Sequence, residues 1–122
     1  MDTLTEFLLD CFAEDEAVAK AASTGPWKVN DETYAETIYA ADGYTTVVAG
    51  GKWGGEASVF DDTADAIHIA LHDPARVLAE CEAKRLILAL SEHGCGDDYE
   101  RVQRALALPY ADRPGYQQKW KP

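Results

Sequence analysis

Asp73-Pro74 divides a long helix-forming stretch in two, and no other pair of residues constrains the fold of this chain as strongly. Proline has no backbone N–H and its ring clashes with the preceding turn, so it is excluded from a helix interior. It suits the first helical position, where an aspartate just before it stops one helix and caps the next. The run from Asp62 to Arg85 therefore reads as two consecutive helices. Asp62 caps the first, with Asp65 in the reciprocal capping position. At about 3.6 residues per turn, Asp65, His68 and His72 share one stripe of that helix, beside an apolar stripe of Ala64, Ile67 and Leu71.

Upstream, Leu4, Phe7, Leu8, Cys11, Phe12, Val18, Ala19 and Ala22 recur at three and four, which predicts an amphipathic helix over residues 3–22 with Thr3 and Glu6 as a capping box. Only Asp15 interrupts its seam. Gly25-Pro26 ends it. A small antiparallel sheet of three to four strands follows: residues 27–29, 37–41, 44–49 and 56–60. Asp42-Gly43 is the signature of a two-residue type I′ hairpin between the second and third. The glycine-rich link 50–55 lacks the spacing of a phosphate-binding loop and reads as a wide turn carrying an exposed Trp53. Leu86 to Leu90 is apolar all round, which predicts enclosure by this chain or by a second copy. A short last helix, 99–108, ends at Pro109. The tail beyond it carries Tyr110, Tyr116 and Trp120 at spacings suited to an ordered, extended segment wrapping the body. The fold class is α+β, in a single domain spanning 1–122.

Charge narrows the function classes. With 22 acidic and 11 basic residues the chain carries −11, which repels phosphates and disfavours direct nucleic-acid binding. Six acids and no base occupy the first 19 residues, whereas Arg101, Arg104, Arg113, Lys119 and Lys121 lie near the other end, so the basic segment is expected to pack near the acidic helix or both to be solvated, with a phosphate-binding tail as the other reading. No apolar run reaches membrane-spanning length and no basic leader precedes an apolar core, so a cytoplasmic, non-membrane protein is expected. Cys11, Cys81 and Cys95 are odd in number, and two lie on apolar helix faces, so they are expected to be reduced and unpaired.

Four pieces of the sequence carry a resemblance: Thr24-Gly-Pro-Trp27, His68-Ile-Ala-Leu-His-Asp-Pro-Ala-Arg-Val-Leu78, Glu82-Ala-Lys-Arg85, and Arg104-Ala-Leu-Ala-Leu-Pro-Tyr-Ala-Asp-Arg-Pro-Gly-Tyr116. Together they resemble an uncharacterised family of small proteins of unknown function from actinobacteria and their phages. The resemblance implies a phage or mobile-element setting and no activity. Longer members carry Cys and His residues after the Glu-Ala-Lys-Arg helix. Here only Ser91-Glu-His-Gly-Cys95 stands in that place, so a zinc site is not carried over.

Two functional classes remain. His68 and His72, at i and i+4, have the spacing of two imidazole ligands, with Asp65, His93 or Cys95 to complete a zinc site; a structural role for both rings is the competing account. Such a site would make the chain a metal- or small-ligand-binding domain. The other class is a non-enzymatic interaction module without a cofactor, acting on a host or phage protein through surface groups: Trp53, Arg76, Arg85, Tyr110, Tyr116 and Trp120. A homodimer through Leu86–Leu90 belongs with it. No catalytic residue is expected, because capping and turn formation account for the paired acids and the histidine beside Cys95.

Overall fold

A computed structural model describes residues 3–30, 37–49, 63–93 and 98–122. Helix α1 spans Thr3–Ala21, followed by strands β1 (Lys28–Asn30), β2 (Thr37–Tyr39) and β3 (Thr46–Val48). Helices α2 (Thr63–Leu71), α3 (Pro74–Ser91) and α4 (Asp98–Ala107) come next, then 3₁₀ turns at Leu108–Tyr110 and Gln118–Trp120. The class is α+β, with a three-stranded antiparallel sheet in the order β1-β2-β3. The expected strand at 56–60, the glycine-rich link and Trp53 lie outside the described residues. No helix among the described residues is long and apolar enough to cross a membrane. Contacts group the chain into two units, Met1–Ala17 with Ala79–Pro122, and Val18–Leu78.

In the first unit, Leu4, Leu8, Cys11 and Phe12 of α1 form one buried stripe with Leu88 of α3, Ala107 of α4, and Tyr110 and Trp120 of the tail. Each large side chain fully covered contributes roughly 1.5–3 kcal/mol before entropy. The tail is ordered by this burial: Trp120 and Tyr116 pack on the Phe7 ring at 5.2 and 5.9 Å between centroids. The interruption at Asp15 is a tether. Arg113 Nη2 donates to Asp15 at 2.5 Å, and its other arm reaches Glu14 at 3.3 Å, so Arg113 meets the acidic helix, while Arg101 and Arg104 pair with Asp98 and Glu100 of α4 itself. The guanidinium also lies over the Tyr110 ring at 4.7 Å. Tyr110 accepts a hydrogen bond from Lys84 Nζ at 2.8 Å. Burial and the neighbouring Asp15 carboxylate push its hydroxyl well above the usual phenol range, so it remains protonated. Arg85 grips Glu16 with two nitrogens, at 2.6 and 3.2 Å. The thiols of Cys11 and Cys81 are free and buried, and burial raises both pKa values, which keeps them unreactive.

Two expectations are corrected here. This chain itself encloses only Leu88 of the apolar run 86–90 and leaves Leu86, Ile87 and Leu90 exposed, because α3 turns one narrow stripe to the core; the correction concerns enclosure by this chain and not by a second copy. Tyr110 and Trp120, expected at a partner surface, are 3% and 4% exposed. Sequence spacing alone does not show whether an aromatic anchors its own chain or another.

In the second unit, Val29 and Val48 stand opposite Ile38 on its two sides, giving one apolar row across the sheet. Ala66 and Ala70 of α2 are buried with Ile38. The buried stripe of α2 is thus its small residues, not the expected Ala64, Ile67 and Leu71. The β2–β3 connection is also longer than a two-residue turn. Ala40 N–H bonds Thr45 O at 2.9 Å around residues 41–44, Gly43 sits at φ 83°, and the Asp42 carboxylate accepts from the N–H groups of Tyr44 and Thr45. Those bonds, with one from the Thr45 hydroxyl, lower the Asp42 pKa.

Replacing Arg113 by alanine strands a carboxylate that is only 24% exposed. Urea unfolding should show a loss of roughly 1–3 kcal/mol, with Arg113→Lys recovering part of it. An unchanged midpoint in Arg113→Ala would refute the tether.

Candidate functional site

The second unit brings two separated pieces of sequence, 24–27 and 73–76, into direct contact. Asp73 is 5% exposed and uses both carboxylate oxygens. Oδ1 accepts from the Arg76 N–H at 2.9 Å, which caps α3 with Pro74 as its first residue. Oδ2 accepts from the Trp27 N–H at 2.7 Å, which holds the start of β1. Gly25 lies so close to α3 that a Cβ there would stand 2.8 Å from Ala75 N, leaving room for no other residue. Thr24 O accepts from Ala41 N–H at 2.9 Å and Ser23 O from the Trp27 indole at 2.8 Å, so the loop is held along its length.

This interlock frames a groove of about 740 Å³, lined by Trp27, Val29, Ile67, Ala70 and Leu71, with Lys28 and Arg76 at its edge. Because Ala66 and Ala70 draw α2 against the sheet, Ile67 and Leu71 are left 48% and 56% exposed. Grouped exposed aliphatic side chains of this kind can receive an apolar surface.

The histidines lie elsewhere on α2. His68 and His72 are exposed, and their rings approach to 4.3 Å between centroids. His72 Nδ1 donates to the His68 carbonyl oxygen at 2.8 Å, so this ring caps the last turn of its own helix. Asp65 is exposed on the same helix. His93 is exposed beyond α3 in the other unit, and Cys95 lies outside the described residues. Among the described residues no three His, Cys, Asp or Glu side chains are grouped to hold a metal ion.

Of the surface groups expected to meet a partner, Arg76 borders the groove, while Arg85 is engaged with Glu16 and Tyr110, Tyr116 and Trp120 pack within the first unit. The groove walls Val29, Ile67 and Leu71 were missed. Their apolarity reads as core until the small residues beside them are seen to occupy that place.

The chain belongs to a family of unknown function (DUF6221). The match covers residues 1–122. No curated protein and no solved structure matches it.

Asp73→Ala should cost about 1–3 kcal/mol, since it removes a cap and leaves the Trp27 N–H without its acceptor. Gly25→Ala should cost a similar amount by forcing the loop off Ala75. Thermal melts of both variants check this; two unchanged curves would show that the interlock does not hold the unit together.

Proposed function

We propose that this protein is a non-enzymatic interaction module that docks a host or phage protein, without cofactor, in the groove between Trp27, Ile67 and Leu71. The single observation behind this reading is the pair of exposed aliphatic side chains on α2 beside Trp27. Polar groups elsewhere support it through what they already do: Asp73 caps, Gln103 is buried and donates to Thr5 at 2.6 Å, and Arg113 tethers the tail. The exposed Leu86, Ile87 and Leu90 of α3 favour a homodimer as one further form of association.

The decisive experiment compares the wild type with an Ile67→Asp, Leu71→Asp double variant. Both positions face solvent, so the melting temperature should hold while a partner cross-linked and retained by the wild type is lost. Equal retention of the same partner by the variant would overturn the proposal.

The paired rings of His68 and His72 favour a second reading, a zinc- or small-ligand-binding domain centred on Asp65, His68 and His72. Elemental analysis of untagged protein decides between the two. We expect no stoichiometric zinc and no change in melting with chelator; zinc that disappears in a His68→Ala, His72→Ala variant would establish the metal site instead.

A further inference from the structure

We infer that the groove beside α2 takes an extended peptide segment as an added strand on the outer edge of β1, with an apolar residue opposite Val29 and acidic residues flanking it. This rests on the docking reading above and names the conformation and chemistry of the partner.

The direction of the β1 backbone carries the inference. Successive residues of a strand turn their N–H and C=O groups to opposite edges. Ala40 N–H donates to Thr45 O at 2.9 Å across the β2–β3 pair, so Ile38, two residues back, also faces β3. Thr37 and Tyr39 then face β1, and the β1–β2 bonds run through their register partners Asn30 and Lys28. Val29, between those two, turns its N–H and C=O to the outer edge. Trp27 shares that direction, and its N–H is taken by Asp73 Oδ2 at 2.7 Å. Among the described residues nothing accepts from or donates to the outward groups of Val29.

The apolar groove lies at this edge, with Trp27 and Val29 on one side and the exposed Ile67 and Leu71 on the other. A residue paired opposite Val29 points its side chain to the same face of the sheet, the face on which α2 packs, and so toward those aliphatic groups. A helix laid in the groove would cover them but leave the Val29 donor and acceptor without partners, which is costly. An added strand satisfies both.

Charge selects the flanking residues. They point to the opposite face, where Lys28 stands exposed and without an ion pair among the described residues. Arg76 is the other cation of the lining, and Asp73, its acid, has both oxygens committed to backbone N–H groups. Salt limits the reach of the net charge of −11 to about 8 Å, so the cations at the groove itself set its preference.

The test uses the full chain and NMR. In the free protein the Val29 amide should exchange with solvent faster than that of Lys28. Nine-residue peptides alternating valine, isoleucine or leucine with glutamate, threonine or lysine are the probes. Those with glutamate should bind best, shift residues 26–29 and 67–76, and slow exchange at Val29. N-methylating the peptide residue that cross-peaks place opposite Val29 should weaken binding about tenfold, as a lost backbone bond to a now unpaired acceptor implies. Lys28→Glu, with an unchanged melting curve, should abolish the preference for glutamate. Slow exchange at Val29 in the free chain would overturn the inference, showing the edge already covered by the chain itself or, at a mass of two chains, by a second copy. Binding indifferent to N-methylation, or no peptide bound by a chain whose partner is still lost in the Ile67→Asp, Leu71→Asp variant, would overturn it and leave the docking reading intact. A partner retained by that variant would overturn both.

Discussion

The second unit depends on one carboxylate. Asp73 accepts from the first turn of α3 with one oxygen and from the start of β1 with the other, and it is buried while doing so. A buried charge is tolerated only when its acceptor capacity is used, and charge-assisted bonds to backbone N–H groups use it well. The same contact sets Trp27 against α2 and fixes one wall of the apolar groove. Gly25 allows the approach, since any larger residue would meet the backbone of Ala75. Local capping and long-range packing are here a single event.

The first unit solves a related problem in another way. Asp15 lies one helical turn from Cys11, Phe12, Val18 and Ala19, and Arg113, from the tail, neutralises it. The tail can reach because Tyr110, Tyr116 and Trp120 are drawn onto Phe7 and Phe12. Hydrophobic burial supplies most of the attachment, and the ion pair sets its position along α1, since a misplaced tail would leave a half-buried carboxylate alone.

Much of the fold was legible. The two helices parted at Asp73-Pro74, the amphipathic first helix and the terminating Pro109 all follow from local rules of capping, period and proline geometry. The hairpin at Asp42-Gly43 was found but drawn too tight, because Asp42 binds two following N–H groups and opens a four-residue loop. The candidate site was less legible. His68 and His72 were visible as a pair, yet spacing does not say that His72 turns back onto a carbonyl of its own helix. Ile67 and Leu71 were visible only as part of an apolar stripe with Ala64, and periodicity does not say which apolar residues of a helix are covered. The sheet instead takes Ala66 and Ala70, which let backbones approach closely.

Sequence alone determined where helices begin and end, the class of the fold, the strongly negative charge and membership of a family without known activity. Those properties are local or additive, so they survive without coordinates. Tertiary structure decided which apolar residues are interior and which line a groove, and which acids are paired and which face solvent. Those outcomes depend on contacts between residues far apart in the chain, where side-chain size and reach, rather than pattern, select the partner.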